Sequence, residues 1–188
     1  MMASALQSYV NRFSVLPGKK VVLFTNNDSV YSVAKDIISA GGKVVAIIDA
    51  RASGPDSEVI KALNSVRVIS NSVIQRVIGY KKVKSVKVSS NKGTYLESIS
   101  CDLVAHSGGW NPTVHLHSQA RGTLKYCDSI SAFVPDKSIQ KSWSVGAASG
   151  KLLLQEAFST AVYVSECILE ELSLKKSNMD VPLSLIHI

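Results

Sequence analysis

Two short, nearly continuous apolar runs, at 19–24 and 43–48, have the composition of strands buried on both faces of a parallel sheet. Between them, apolar side chains recur every three or four positions from Val30 to Ile38, which predicts an amphipathic helix capped by Asn27 or Asp28. Strand, helix and strand make a βαβ unit of about thirty residues, the length of half a mononucleotide-binding fold. The pattern therefore predicts an α/β fold.

The next segment changes from continuous apolar runs to the alternation that is typical of half-exposed strands. Gly54-Pro55 marks a loop, and a short helix capped by Asp56 or Ser57 is predicted to end at Leu63. Strands are then predicted at 66–69 and, as a paired set with a hairpin turn at 91–93, at 73–78, 83–88 and 95–99. We therefore expect an antiparallel insert after the βαβ unit.

The segment from 102 to 119 departs from both patterns. A short apolar strand, Leu103–Ala105, runs directly into Gly108 and Gly109, and Pro112 follows. Glycine at the carboxyl end of a strand permits positive φ and lets a ligand or a second segment approach the backbone closely. Because ligands of open α/β sheets bind at this edge, the sequence predicts a binding site here.

Beyond this segment the chain is predicted to form two more short strands, at 123–126 and 130–134. A turn of small residues at 144–150 then leads into a long helix from Leu152 to Leu172, whose apolar residues follow the 3.6-residue period. The last stretch, 173–188, has no periodicity, so we expect it to be disordered or not native sequence.

Composition supports a folded domain, because 46% of the 188 residues are hydrophobic. The excess of 21 Lys and Arg over 14 Asp and Glu gives a net charge of +7, which raises nucleic acid as a partner. The basic residues are scattered, however, and the one cluster, at 81–87, alternates with valines as a solvated strand face does. No stacking aromatic residues interleave it, so the sequence predicts no nucleic-acid binding.

The cysteines and the first residues bear on the compartment. Cys101, Cys127 and Cys167 have no spacing suited to a metal and form an odd number, which predicts reduced thiols. The aspartate after each of the first two is expected to raise the thiol pKa, so no cysteine nucleophile is predicted. Residues 1–10 lack the pattern of a secretory signal, and no apolar run is long enough to span a membrane. We therefore expect a soluble cytoplasmic protein.

Three histidines, His106, His115 and His117, lie close together in sequence and raise the question of a metal site. If residues 115–117 formed a strand, His115 and His117 would lie on the same face. No further ligand has a suitable spacing, and Asp102 is the only nearby carboxylate that could orient them. We predict structural or interface histidines and no metal, and no residue is predicted to act as a catalytic acid, base or nucleophile.

Several stretches of the chain resemble one family. It is that of the sarcosine oxidase alpha subunit, whose signature segment is similar to Ser107-Gly-Gly-Trp-Asn-Pro-Thr-Val-His-Leu-His-Ser-Gln119. Phe24–Tyr31 resembles the family's Thr-Asn-Asn-Asp turn, and Ala132–Pro135 with Val145–Gly150 resembles its later strand and glycine turn. The stretches keep the family's order, so the chain is identified as an internal fragment of the dinucleotide-binding region of such a subunit.

The resemblance implies an oxidoreductase that acts on the CH-NH group of its donor. The complete enzymes of this family oxidise sarcosine by demethylation, with oxygen as the electron acceptor and tetrahydrofolate taking the one-carbon unit. They contain FAD, FMN and NAD, and the alpha subunit assembles with beta, gamma and delta subunits in a heterotetramer. Amine oxidation at the beta subunit's flavin and folate binding at the C-terminal domain of the alpha subunit lie outside these residues. The fragment alone is therefore expected to be inactive.

The resemblance also implies the domain order of flavoproteins with two FAD/NAD(P)-binding subdomains, a pyridine nucleotide-disulfide reductase-like fold. Residues 1–17 would be a helix and linker, 18–100 the second dinucleotide-binding-type subdomain, 101–172 the return to the first subdomain, and 173–188 a tail. The first subdomain, with its glycine fingerprint, is expected to precede Met1.

For this region the resemblance implies NAD. Gly146-Ala147 stands where such reductases carry a Gly-Asp pair whose carboxylate binds the flavin ribityl chain, and the missing carboxylate speaks against a flavin. The implied NAD-contacting residues, with the glycines on the pocket floor, are Gly108, Gly109, Trp110, Val114, Leu116, Gly146 and Ala147. Trp110 has two interpretations, as a residue that stacks on a ring of the nucleotide or as one packed under its own turn.

Other interpretations stay open. The Thr25-Asn-Asn-Asp28 turn lacks the glycine fingerprint and offers side-chain oxygens where a pyrophosphate favours N–H groups, so it either binds a nucleotide or only caps the helix. Asp49 is near the place of a ribose-binding acid, or is a plain strand-end residue. The alternatives for function are a non-catalytic scaffold lobe at a subunit interface and the alpha subunit of a related amine or proline dehydrogenase.

Overall fold

The computed structural model describes residues 1–54, 63 and 66–174, which divide into two compact units, one up to Gly109 (unit 1) and one from Trp110 onward (unit 2). In chain order, unit 1 contains helix α1 (Ala3–Phe13), strand β1 (Lys20–Thr25), helix α2 (Ser29–Ser39) and strands β2 (Lys43–Asp49), β3 (Val68–Ile69), β4 (Ser72–Gly79), β5 (Val83–Ser90), β6 (Tyr95–Ser100) and β7 (Leu103–Ser107).

The strands of unit 1 form two sheets. β3, β2, β1 and β7 are parallel and lie side by side in that order, while β4, β5 and β6 form an antiparallel sheet. β1 is an interior strand of the parallel sheet, with Val21 opposite Val44 on one side and opposite Leu103 on the other. The predicted βαβ unit and the predicted antiparallel insert are both confirmed.

Alternate side chains of β1 contribute to two apolar cores. Val21 and Leu23 are fully buried in a cluster that also contains Leu6 of α1 and Ile37 of α2. Val22 is fully buried on the opposite face, in a cluster shared with the antiparallel sheet. Helices, parallel sheet and antiparallel sheet therefore form three layers, and each fully buried aliphatic side chain contributes about 1.5–3 kcal/mol to the fold.

Parts of the predicted layout fall on residues that the structure does not describe. The predicted short helix that ends at Leu63 lies outside the described residues, except for Leu63 itself. That side chain is buried in the apolar cluster that also contains Leu6 and Ile37. The stretch beyond Leu174 also lies outside them. The division of the chain into segments 1–17, 18–100, 101–172 and 173–188 stays a prediction.

Unit 2 contains helix α3 (His115–Gln119), strands β8 (Leu124–Cys127) and β9 (Ala132–Pro135), a 3₁₀ helix (Gly146–Ser149) and helix α4 (Leu154–Glu171). β8 and β9 pair as an antiparallel hairpin, which confirms the two short strands predicted there. The 3₁₀ helix occupies the predicted turn of small residues, and α4 confirms the predicted long helix.

The strand considered for 115–117 is wrong, because this segment is helical. The Ser118 N–H donates to the Val114 carbonyl at 3.0 Å, as in a single α-helical turn. Residues two apart on a helix point away from each other, so His115 and His117 do not share a face. The pairing that would have favoured a two-histidine site is therefore absent from α3.

The apolar stripe of α4 is half-buried at Ala157, Ala161, Val164 and Ile168. No residue of this helix is fully buried, and Leu154 and Phe158 beside the stripe are 56% and 39% exposed. Despite this apolar stripe, none of the helices in the described part of the chain has the length and hydropathy to cross a membrane.

Candidate functional site

The strands β1, β2 and β7 end at the same edge of the parallel sheet. They end at Thr25, Asp49 and Ser107, and because β1 pairs in parallel with both β2 and β7, these carboxyl ends lie side by side. In open α/β sheets this is the edge at which ligands bind, so the polar side chains that gather there form the candidate site.

Asn27 connects the β1–α2 turn to the end of β7. Its Nδ2 donates to Ser107 Oγ at 3.0 Å, and its Oδ1 accepts from the Ser29 N–H at 3.0 Å and from Ser29 Oγ at 2.6 Å. The hydroxyl oxygens of Ser29 and Ser107 are themselves 3.1 Å apart. One amide therefore caps the first residue of α2 and also holds the turn against β7.

The residues before Asn27 close the same turn. Thr25 Oγ1 donates to the Asn27 carbonyl at 2.7 Å, and Asn26 Nδ2 donates to the Gly108 carbonyl at 3.2 Å. Asn26 Oδ1 also accepts from Asn27 Nδ2 at 2.9 Å. The turn that a dinucleotide fold leaves open for phosphate is filled here by its own side chains.

This geometry settles how the helix is capped and what the turn offers a phosphate. Asn27 provides the predicted side-chain cap, whereas Asp28 is the N-cap residue by position but makes no side-chain capping bond. The Ser29 N–H, which a pyrophosphate would use, is already bonded, and Asp28 adds a negative charge. The geometry of the β1–α2 turn therefore favours the capping interpretation over phosphate binding.

Asp49 ends β2 as a fully buried carboxylate with both oxygens occupied. Tyr31 Oη and Arg51 Nη2 each donate to its Oδ2 at 2.8 Å, and the Arg51 backbone N–H and Nε donate to its Oδ1 at 2.9 Å and 3.1 Å. Arg51 Nη2 also donates to Asp28 Oδ1 at 2.6 Å. A carboxylate has about four acceptor positions, so these bonds leave none for a ribose hydroxyl.

The electrostatics of this cluster keep Asp49 ionised. Burial raises the pKa of Asp49, but the hydrogen bonds and charge of Arg51, together with the Tyr31 hydroxyl, outweigh it, so the pKa lies below its ordinary value. Burial, followed by the hydrogen bond to Asp49, raises the pKa of Tyr31. Of the two interpretations of Asp49, the structure favours the strand-end residue, with a structural role that the sequence did not indicate.

The predicted site residues fall in both units. Gly108 and Gly109 follow β7 in unit 1, and Gly109 has a φ of 94° next to the Asn26 side chain. At Gly108 a Cβ would meet no heavy atom within 4 Å, so the space beside this backbone is open. In unit 2 the remaining predicted residues are Trp110 and Leu116, both exposed, together with Val114, Gly146 and Ala147. Their roles as ligand contacts stay predictions.

The backbone conformation of the turn at 146–150 in unit 2 accounts for its glycines. Gly146 has a φ of 61° and accepts a 2.8 Å hydrogen bond from Ser149 Oγ at its carbonyl. Gly150 has a φ of 86°, and a Cβ there would approach the Val134 side chain to 2.8 Å. These backbone conformations favour glycine whether or not a ligand is bound.

The histidines form no metal-binding cluster in the described ranges. Among those residues no three His, Cys, Asp or Glu side chains gather around a point that could hold a metal. The His117 ring lies over Gly122, with Nε2 2.9 Å from the Thr123 carbonyl oxygen. This contact gives His117 a structural place in the turn after α3.

The two thiols that precede an aspartate differ. Burial and then Asp102 raise the pKa of Cys101, as predicted. For Cys127 the prediction is wrong, because its hydrogen bond with the Ser129 hydroxyl, followed by one from the Ile130 N–H, lowers the thiol pKa and outweighs the nearby carboxylate. The sequence pattern shows the aspartates but not the turn that brings those donors to the sulfur.

Sequence comparison finds relatives although no protein-family model matches the chain. Sarcosine oxidase subunit alpha of Corynebacterium sp. (strain U-96) is 36% identical over 167 residues, covering 85% of this chain and 17% of that subunit. The same subunit of strain P-1 is 37% identical over 172 residues, with coverages of 87% and 18%. In Rhizobium meliloti (strain 1021) the identity is 31% over 175 residues, with coverages of 93% and 17%. The chain thus spans less than a fifth of these relatives.

Structural comparison finds flavoprotein reductases. Thioredoxin reductase of Lactococcus lactis has a TM-score of 0.57 at 20% identity, over 81% of this chain and 51% of its own. The disulfide reductase RclA of Escherichia coli has a TM-score of 0.58 at 18% identity, over 82% and 37%. At such identities the likeness shows the fold alone, and it confirms the predicted α/β fold of the dinucleotide-binding type with an antiparallel insert.

Proposed function

The chain belongs by sequence with the sarcosine oxidase alpha subunits, of which it matches one segment, and from this premise we propose that it forms a lobe of such a subunit in an oxidoreductase. The enzyme oxidises the CH-NH group of sarcosine by demethylation, with oxygen accepting the electrons and tetrahydrofolate the one-carbon unit. The alpha subunit works with beta, gamma and delta subunits in the cytoplasm. Identities of 31–37% over 85–93% of this chain support the proposal.

In this lobe the proposed ligand is NAD, and FAD, FMN and tetrahydrofolate bind outside the segment. One proposed contact is the backbone of Gly108 and Gly109, which is supported by the open space beside Gly108 and the positive φ of Gly109. A separate proposed contact, in unit 2, comprises Gly146 and Ala147, with Trp110, Val114 and Leu116 as further lining residues. The chain's residues bind and position, and none is proposed to transfer a proton or to attack.

A second candidate function is a lobe that binds no dinucleotide and serves as a structural scaffold. The closed β1–α2 turn favours it, since Asn26 and Asn27 fill the turn and Asn27 already bonds the Ser29 N–H. The occupied carboxylate of Asp49 favours it as well, because no acceptor is left for a ribose. Both observations concern the ends of β1 and β2 in unit 1. NAD binding in the space beside Gly108 is therefore the property that distinguishes an NAD-binding lobe from a scaffold.

Titration calorimetry of NAD into the full chain, with Gly108→Ala and Gly108→Val as a graded pair, tests the proposal. A Cβ added at Gly108 meets no neighbour and the backbone there has no positive φ, so both variants are expected to fold and to melt near the temperature of the wild type. The Ala variant is expected to weaken NAD binding slightly, and the Val variant by about tenfold or more, since a branched side chain blocks close approach to the backbone.

Either of two results contradicts the NAD contact at Gly108. Unchanged affinity in a folded Gly108→Val variant removes this contact, and no saturable binding by the folded wild type leaves the scaffold as the supported function. The melting temperature distinguishes both from a failure to fold.

A further inference from the structure

Two cations face each other across the antiparallel sheet of unit 1. Arg76 of β4 is directly opposite Lys87 of β5, and Lys87 is directly opposite Ser98 of β6. All three side chains are exposed. Directly opposed residues have Cβ atoms about 4.5–5.5 Å apart, and like charges at this distance destabilise a sheet. The Arg76–Lys87 pair is therefore an unfavourable arrangement in the isolated chain.

No carboxylate in the described part of unit 1 relieves this repulsion. Neither Arg76 nor Lys87 forms an ion pair with a described residue, and the nearest acidic strand residue, Glu97, is bonded to Arg67. The remaining described acids of the unit have partners elsewhere: Asp28 and Asp49 with Arg51, Asp36 with Gln7 and Asn11, and Asp102 with the backbone of Lys19 and Lys20.

The rest of the β4–β5 hairpin strengthens the positive field. Lys81, Lys82 and Lys84 follow in the connecting turn and the start of β5, and the sequence from Ser72 to Ser90 contains no acidic residue. Charges of one sign that are fixed on a sheet create a potential that attracts an oppositely charged partner.

A second like-charge pair in unit 1, which has a carboxylate beside it, provides a comparison. Lys20 of β1 is directly opposite Lys43 of β2, in a parallel pair of strands and not an antiparallel one. There, however, the Asp102 carboxylate accepts from the Lys20 backbone N–H at 2.8 Å, so a negative charge lies beside the pair. The Arg76–Lys87 pair has no such carboxylate among the described residues.

We propose that the exposed face of Arg76, Lys87 and Ser98 is a docking surface for a carboxylate-rich surface of another polypeptide. A carboxylate placed over the row would accept from the guanidinium and the ammonium group and would remove their mutual repulsion. That the partner is a polypeptide, and not another polyanion, rests on the proposed role of the chain as a subunit. The surface itself is independent of NAD binding.

The test uses the full chain and a fluorescent peptide of about twelve glutamates, followed by fluorescence anisotropy at low ionic strength. The double variant Arg76→Gln/Lys87→Gln is expected to weaken peptide binding about tenfold or more. Its matched control, Lys20→Gln/Lys43→Gln, removes the same charge from an opposed pair that already has a carboxylate, and should weaken binding less than about threefold. Equal losses in the two variants overturn the proposal, because net charge alone would then explain binding.

A charge reversal provides a second readout. Arg76→Glu places opposite charges across the strands, so it is expected to raise the melting temperature and also to abolish peptide binding. A melting temperature that does not rise overturns the claim of uncompensated repulsion.

Two more arms identify the partner's chemistry. An oligothymidylate of similar length and vesicles containing phosphatidylserine are titrated in the same way, and tighter binding of either one than of the peptide overturns the polypeptide assignment. NAD titration of the Arg76→Gln/Lys87→Gln variant is expected to match the wild type, so failure of the docking surface and failure of the NAD proposal are told apart.

Discussion

At the scale of single residues, the ion pair between Asp49 and Arg51 affects stability because one of its partners is buried. Asp49 is fully buried, whereas the Arg51 side chain is 28% exposed. A buried carboxylate that loses its cation keeps its desolvation cost without compensation. Arg51 thus stabilises the end of β2 mainly by making the burial of Asp49 acceptable.

The variant Arg51→Gln is expected to lower the free energy of unfolding by roughly 2–3 kcal/mol near neutral pH. The value is below that of a fully buried pair because Arg51 is partly exposed. Urea denaturation measures it, with Arg67→Gln as the control, since its partner Glu97 lies in a more exposed pair worth about 0–1 kcal/mol. Equal effects of the two substitutions would contradict the special role of Arg51.

The same variant has a characteristic pH dependence. In the wild type the pKa of Asp49 is lowered on folding, so its stabilisation is present at neutral pH and is lost as the pH falls through the folded-state pKa. In Arg51→Gln burial is expected to dominate and to raise that pKa. The difference in stability between the two proteins should therefore shrink as the pH falls from about 7 towards about 4.

At the scale of elements, most of unit 1 could be predicted because its strands and its central helix carry strong periodicity. The apolar runs at 19–24 and 43–48 are β1 and β2, and the alternation after 72 is the antiparallel sheet. α3 was not predictable, because its five residues are too few to display a period and its helical bonds are local.

The candidate site was predictable only in its location. The glycines after β7 lie at the edge where β1, β2 and β7 end, as the sequence indicated, but Asn27 and Ser107, which bond there, are 80 positions apart. No local pattern reports such a contact, nor that Arg51 and Tyr31 would fill the oxygens of Asp49. The sequence gives residue types at strand ends, whereas the closed turn depends on how β1 and β7 are paired.

The junction between β1 and β7 leads to a prediction at Gly18. A Cβ at this position would come within 2.6 Å of Leu103 Cβ and 2.8 Å of Asp102 Oδ1, and Asp102 is bonded to the Lys20 N–H. Gly18→Ala is therefore expected to destabilise unit 1 by about 1–3 kcal/mol through overpacking.

Thermal and urea denaturation measure this change. Gly108→Ala is the matched control, since its added methyl group meets no neighbour and is expected to leave stability almost unchanged. A Gly18→Ala protein as stable as that control would show that β1 and β7 can separate at this end without loss.

At the scale of the whole molecule, the exposed apolar side chains of α4 are expected to drive association. None of the residues of this helix is buried, and Leu154 and Phe158, four positions apart on one face, are 56% and 39% exposed. Exposed apolar patches favour protein contacts, so the chain is expected to self-associate at micromolar concentration.

Sedimentation velocity at increasing concentration measures the association. Leu154→Ser/Phe158→Ser is expected to return the chain towards the monomer, whereas Leu116→Ser, which removes one exposed leucine from another helix, should change little. Association that is unaffected by the α4 substitutions would assign it to a different surface.

The position of β1 between β2 and β7 also determines the order of events during synthesis. β2 follows β1 closely, but Asp102, whose carboxylate accepts from the Lys20 N–H at the entrance to β7, lies 82 positions beyond it. A nascent chain that has left the ribosome only as far as Ser100 has made the whole antiparallel insert, while one side of β1 still has no strand to pair with. Such an edge recruits strands from neighbouring chains. Slower translation through the insert is therefore expected to lower the soluble yield, although it alters no residue of the finished protein.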